Sequence, residues 1–287
     1  MKTQKKHVND FGNDSVPGLV LRVSVPFMFA QFVNVMYSIV DRIYIGNIPA
    51  AGADSLAGAG VCAPIITLLS SFATLIGIGG SILFSMRLGQ NDKKDAEKIL
   101  GNCFSTLILF SAALTLIFLL SKGMLLHWFG ASDVTYPYAN TYLTIYTCGT
   151  FFALLSMGMN YFITAQGYPL LGMVTTLIGA ILNIILDPLF IFVFHMDIAG
   201  AAVATVLAQL ASCIFVLCVL YRKSMPVPLH LRRPDPVLVK RILALGFSPF
   251  LILATDSIII IAMNAVLQYH GGPGYGDTLI TCATIVQ

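Results

Sequence analysis

The run Leu170–Phe194, LLGMVTTLIGAILNIILDPLFIFVF, is 25 residues long, and Asp187 is its one charged side chain. About 20 mostly apolar helical residues suffice to cross the roughly 30 Å hydrocarbon layer of a bilayer, so this segment has the length and character of a membrane span. Six further runs match it: Val16–Val40, Ala57–Leu83, Ile99–Leu120, Tyr136–Ile163, Ile198–Leu220 and Val237–Leu267. An eighth begins at Leu279 and reaches only Gln287. None alternates with period two as barrel strands do, so the spans read as helices that satisfy their backbone groups internally. The expected fold class is an all-α integral membrane protein.

Composition leads the same way. Of 287 residues, 57% are hydrophobic and 10% charged, with a mean hydropathy of +0.85. Soluble domains carry about 25% charged residues, and this chain lacks the polar surface to dissolve. Soluble enzymes and nucleic-acid-binding folds are thereby excluded. A net charge of +3 is too small for a polyanion binder, and a single Glu argues against coiled coils. No GxxxxGK[ST], HExxH or GxSxG motif occurs, so nothing points to an ATPase, zinc protease or serine hydrolase. Cys62, Cys103, Cys148, Cys213, Cys218 and Cys282 form no CxxC pair and are expected to be small buried residues. The N-terminus does not resemble a cleavable signal, because a polar stretch runs from Lys2, Lys5 and Lys6 to Ser15.

Orientation follows from Lys and Arg. With a cytoplasmic N-terminus, fourteen of the sixteen fall inside, clustered at Arg87–Lys98 and Arg222–Arg241, and only Arg42 and Lys122 fall outside. His127 and Trp128 read as an interfacial anchor. The expected organisation is a cytoplasmic tail 1–15, a six-helix lobe 16–221, a proline-rich cytoplasmic linker 222–236, and an incomplete second lobe 237–287. Ser24-Val25-Pro26 is echoed by Phe247-Ser248-Pro249, and Ala53-Asp54-Ser55-Leu56 by Gly276-Asp277-Thr278-Leu279, both at an offset of 223 residues. This agreement suggests a duplicated six-helix unit with parallel repeats. The chain then reads as part of a twelve-helix protein that stops in the eighth helix, lacking most of its second lobe.

An ionisable group inside a membrane helix costs at least about 2.5–3.5 kcal/mol at mid-depth and marks a function by default. Asp187 lies seven residues before the end of span five, about 10 Å deep, and Asp41 ends span one. Asn183 and Asp187 share a helix face at i, i+4, as do Asn34, Tyr37 and Asp41 at i, i+3, i+7. Thr205 enters span six at matching depth. Carboxylate, amide and hydroxyl oxygens suit a hard cation such as Na⁺, while two acids in a poorly hydrated cavity can instead hold a proton. The alternative is that Asp41 and Arg42 are interfacial and that Asn183–Pro188 is a capped helix break. Asp256 in span seven is a further candidate acid, with partners expected from the second lobe. Pro26, Pro64 and Pro249 interrupt helices and are candidate hinges. Gly58, Gly60, Gly77, Gly79 and Gly80 are expected to permit close helix packing.

Five segments in register resemble the multidrug and toxic compound extrusion (MATE) transporters. They are Tyr37–Gly46 (YSIVDRIYIG), Arg87–Lys93 (RLGQNDK), Ala165–Pro169 (AQGYP), Asn183–Phe192 (NIILDPLFIF) and Gly200–Thr205 (GAAVAT). The resemblance implies two six-helix lobes that rock between inward- and outward-open states, exporting organic cations or other amphipathic compounds in exchange for Na⁺ or H⁺. It implies no enzymatic activity and no cofactor beyond the coupling ion. Asp41, Asn183, Asp187 and Thr205 would form the coupling site, Asn34 and Tyr37 would line the lobe cavity, and Pro26 would be the bend in helix one. The expected partners are small cationic substrates and membrane lipids, with no nucleic acid, and the expected location is the cell membrane. Two alternatives remain: a related flippase for lipid-linked sugars or peptidoglycan precursors, which would need cationic residues in its cavity, and a non-transporting seven-helix receptor.

Overall fold

The computed structural model describes residues 16–49, 51–272 and 275–286, without the side chains of Val16 and Leu19. Lys2, Lys5, Lys6 and the tail 1–15 lie outside the described residues. Eight α-helices follow one another: α1 (Val16–Gly46), α2 (Gly52–Gly89), α3 (Lys93–Trp128), α4 (Tyr136–Ala165), α5 (Pro169–Pro188), α6 (Asp197–Leu220), α7 (Pro236–Gly271) and α8 (Tyr275–Val286). A π-helical turn, Leu189–Val193, extends α5 past Pro188. Among the described residues, seven helices are long and apolar enough to cross a membrane, and α8, with 12 described residues, is not among them. No strand occurs among the described residues.

The helices outlast the apolar runs that announced them. α2 extends the run Ala57–Leu83 at both ends, because helical hydrogen bonds continue through polar residues once a turn is nucleated. It stops where Asn91 takes a positive φ of 60° and Asp92 caps α3 by accepting from the Asp95 N–H at 3.1 Å. Pro26, Pro64 and Pro249 sit inside unbroken helices. The chain at Pro188 turns through five π-helical residues rather than ending, a wider winding common where a proline disrupts the bonding ladder.

α2 is the central helix, packed against α3, α4, α7 and α8, while α4 joins it to α6. α1 is attached mainly along α5 and touches α2 and α6 little. Small residues set the close approaches. A side chain at Gly77 would strike Tyr161 and Gly158 on α4, and one at Gly80 would strike Cys103 on α3 and Phe162 on α4. At the α2–α7 crossing the glycines are reciprocal: a Cβ on Gly79 would collide with the Ile242 carbonyl, and one on Gly246 with the Leu75 carbonyl. Backbone thus meets backbone, the arrangement small residues allow between membrane helices. Of the cysteines, Cys62, Cys103 and Cys213 are buried, but Cys148, Cys218 and Cys282 face outward, contrary to expectation. Outward positions on such a bundle meet apolar surroundings that a small thiol tolerates.

The segment Arg222–Pro236 is strapped to the bundle. Met225, Val227 and Leu229 are buried at alternate positions, and the Gln166 side chain accepts from the Val227 N–H at 3.0 Å. Further along, Ser105 donates to the Arg232 carbonyl, Asn102 accepts from the Asp235 N–H, and Arg232 pairs with Glu97 at 2.9 Å. Asp235 in turn caps α7 through the Val237 N–H. At the opposite end, Trp128 is exposed and His127 stacks on Tyr136 with ring centroids 4.7 Å apart.

Gly246→Ala is expected to destabilise the chain by about 1–3 kcal/mol, since the clash is with backbone and cannot relax by side-chain motion. Gly89→Ala, where a Cβ meets nothing within 4 Å, serves as the control, both read from thermal unfolding in detergent.

Candidate cation site

Packing of α1 on α5 brings the end of one helix against the last turn of the other. Asp187, at 0% exposure, and Asn183, at 1%, face inward from α5. Their i, i+4 spacing lets Asn183 Nδ2 donate to Asp187 Oδ1 at 3.3 Å, and the same amide nitrogen donates to Thr205 Oγ1 on α6 at 3.2 Å. Asp41, from α1, brings its carboxyl group within hydrogen-bonding reach of Asp187. The four residues picked from sequence therefore form one cluster spanning three helices. Asp41 Oδ1, Asp187 Oδ2 and Asn183 Oδ1 are all buried without a donor. Oxygens in this state, so close together, are electrostatically suited to a proton or a small cation, since two carboxylates offer one another only acceptors. No metal-binding group of three or more His, Cys, Asp or Glu side chains occurs among the described residues, which leaves a mixed carboxylate, amide and hydroxyl donor set of the kind hard cations favour.

Arg42 does not neutralise the cluster by contact. Its guanidinium donates to the Thr284 carbonyl on α8, so neighbouring residues on α1 point to different partners. Asp41 is half-buried and turns its carboxyl group toward Asp187 rather than toward Arg42. Asp256 is exposed on α7 and does not join the cluster.

A cavity of about 2100 Å³ runs from the cluster between α1, α2, α4, α5 and α6. Asn34, Tyr37, Asn183 and Thr205 line it near the acids, and Gly89, Asn91 and Pro226 line it at the end where Arg87, Lys93 and Lys94 cluster. Pro26 is buried on α1 beside this wall. Among the described residues, no Lys, Arg, Asp or Glu lines the cavity. Its walls are hydroxyl and amide groups interspersed with Phe27, Met28 and Met157.

Three residues at or beside the wall carry no mark in the sequence reading: Tyr146 and Gln209, which line the cavity, and Tyr142 next to Tyr146. Tyr142 and Tyr146 on α4 stack with centroids 6.4 Å apart, and both lie close enough to Tyr37 to interact with it electrostatically. Gln209 on α6 donates to the Tyr146 hydroxyl at 3.2 Å. A signal existed: Thr205, Gln209 and Ser212, at i, i+4 and i+7, form a polar stripe on an otherwise apolar span.

A family model described as MatE matches residues 26–189. The chain belongs to the MATE family of transporters. It is 27% identical over 266 residues to the multidrug export protein MepA of Staphylococcus haemolyticus, an alignment that covers 91% of this chain and 58% of MepA. The chain thus spans about 58% of the length of the curated relatives it matches. Among solved structures, the MATE multidrug transporter DinF-BH superposes with a TM-score of 0.89 at 31% identity, covering 99% of this chain and 63% of that one. An inward-facing multidrug resistance MATE transporter of the MOP superfamily gives 0.81 at 24% identity, over 93% and 60%, and bears on the fold alone. As a multi-pass MATE protein, the chain is a transporter-family member and not an enzyme.

Asn183→Ala removes the one donor that Asp187 and Thr205 share. The expected loss is about 1–3 kcal/mol of stability, from stranding a buried acceptor, measured by thermal unfolding in detergent against Asn34→Ala, whose side chain is exposed in the cavity.

Proposed function

We propose that residues 16–221 are the first lobe of a two-lobe exporter, joined by the strap 222–236 to the start of a second lobe at 237–287. Cationic or amphipathic drugs leave in exchange for inward movement of Na⁺ or H⁺, with the N-terminus and the basic end of the bundle in the cytoplasm of a cell bearing the protein in its plasma membrane. The distribution of Lys and Arg supports that orientation. The observation that carries the reading is the meeting of Asp41 and Asp187, with Asn183 and Thr205, beside a large cavity lined by no basic residue among the described residues.

The mechanism is competition for one lobe. With the acid pair anionic, the cavity has a net attraction for an organic cation. When Na⁺ or a proton enters from outside, it satisfies the orphaned oxygens, removes that attraction and draws α1 toward α5. The helix yields at Pro26, where the backbone lacks one hydrogen bond, and the space shared by Asn34 and Tyr37 shrinks. A ligand shifts such an equilibrium only through its differential affinity for the two states, and here the ion and the drug favour opposite ones. The 223-residue offset takes Asp41 to Asn264, a buried neutral amide on α7 that donates to the Gly60 carbonyl at 3.5 Å. At the position equivalent to Asp41, the start of the second lobe thus carries an amide in place of a carboxylate. The absence of basic residues from the cavity wall, among the described residues, disfavours a flippase for pyrophosphate-linked lipids.

In lipid nanodiscs holding the chain, ethidium binding is expected to weaken as Na⁺ or H⁺ rises, and Asp41→Asn is expected to erase that dependence without loss of protein. Retention of the ion dependence in Asp41→Asn would sink the assignment. Ethidium binding indifferent to both ions in the unaltered chain would favour a receptor instead.

A further inference from the structure

The ends of α3 and α4 remote from the basic cluster hold a group of polar side chains, none of which lines the cavity. Lys122 follows the apolar run Ile99–Leu120 by two residues. That run spans about 33 Å as a helix, so the lysine sits at the level where hydrocarbon gives way to headgroups. Its ammonium is partly buried and donates to Thr144 Oγ1 on α4 at 2.7 Å. Next to it, Gly123 leaves room for Tyr136 of α4, whose hydroxyl would lie 3.4 Å from a Cβ at that position. The Tyr136 ring stacks on His127, with centroids 4.7 Å apart and planes inclined by 8°. Gly123 and His127 are one turn apart at i, i+4, so the tyrosine lies along α3 with its hydroxyl at the level of Lys122. Among the described residues the ion pairs are Arg87–Asp95, Lys98–Asp95 and Arg232–Glu97, all at the opposite end of the bundle. Lys122 joins none of them.

A lysine carries three N–H donors and no acceptor. Here its hydrogen bond goes to a neutral hydroxyl, and its charge meets no carboxylate. A cation at the edge of the hydrocarbon, with a phenol hydroxyl and an imidazole beside it, is matched by an oxyanion that lies at the same depth. We propose that the groove between these ends of α3 and α4 seats the phosphate of an anionic phospholipid, held by the Lys122 ammonium and the Tyr136 hydroxyl. Its acyl chains run along the apolar face of α3 below, where Leu116, Ile117 and Leu120 are exposed. A zwitterionic lipid carries its own ammonium beside its phosphate, which competes with Lys122. The seat therefore selects phospholipids with a net negative charge. This inference is independent of what the cavity binds.

Trp128 is the chain's single tryptophan, about 9 Å along α3 from Lys122 and about 50 Å from the basic end of that helix. Energy transfer from it to a lipid with a pyrenyl acyl chain thus reports lipid beside this end of the bundle. The chain is placed in phosphatidylcholine nanodiscs with a rising fraction of pyrenyl phosphatidylglycerol or of pyrenyl phosphatidylcholine. Half-maximal transfer is expected at about tenfold less of the glycerol lipid, the effect of one hydrogen bond to a charged group. Lys122→Gln is expected to bring the two lipids level and Lys122→Arg to keep them apart. Tyr136→Phe, which retains the ring on His127, is expected to narrow the difference, and an undiminished difference there overturns the hydroxyl's share. Equal transfer to both lipids in the unaltered chain overturns the proposal, as does a preference that persists in Lys122→Gln. An equal loss in Lys122→Gln and Lys122→Arg overturns it too, because it marks a packing role. Displacement of the glycerol lipid by inorganic phosphate identifies a site for soluble anions and overturns the lipid assignment.

Discussion

Two carboxyl groups from different helices, Asp41 on α1 and Asp187 on α5, meet where those helices pack within an apolar bundle. Asp41, half-buried, and Asp187, fully buried, are too close to face one another as bare anions at little cost. A proton or a small cation between them would relieve that repulsion. Because α1 packs mainly along α5 and barely elsewhere, this contact is a large part of what holds it. The least embedded helix of the bundle thus carries one of the two acids.

The rest of the structure gives that contact a rigid setting. α2 packs on α3, α4, α7 and α8 through glycines that admit no side chain, with Gly79 and Gly246 bringing two backbones into direct contact. In hydrocarbon no water is displaced when helices associate, so tight van der Waals packing and interhelical hydrogen bonds supply the attraction. The strap over 222–236 adds a fixed anchor at the basic end, where Asn102 and Ser105 of α3 hold its backbone and Asp235 starts α7. Between that scaffold and α1 lies the cavity, whose walls carry hydrogen-bonding groups but no formal charge among the described residues. Charge is concentrated at one end, and the approach to it is neutral.

Much of the candidate site was legible before any coordinates, for a physical reason. A charged or amide group in a 25-residue apolar run is too costly to be casual, so Asp187, Asn183 and Asp41 stood out against their background. Helical periodicity then gave their relative faces, and the direction of each span gave a common depth. Tyr142, Tyr146 and Gln209 were passed over because tyrosine and glutamine in a span are compatible with ordinary packing, and only their mutual contacts give them meaning. The reverse holds for Asp256. It carries the same signal as Asp187, yet it faces outward on α7, because cost argues that a charge has a purpose without saying on which side its partner lies.

Sequence alone determined that the chain crosses a membrane repeatedly as helices, which end carries the basic residues, and which oxygen-bearing side chains lie deep in the spans. Those properties follow from hydrophobic length and helical period, both local along the chain. The tertiary structure alone decided that α1 lies against α5, so that Asp41 meets Asp187 while Arg42 turns to α8. It also decided that Thr205 shares the Asn183 amide and that the proline-rich segment is a strap and not a loose tether. Helix pairing depends on the fit of small residues and backbone at crossings many residues apart, and no period within one helix specifies which surface will be its partner.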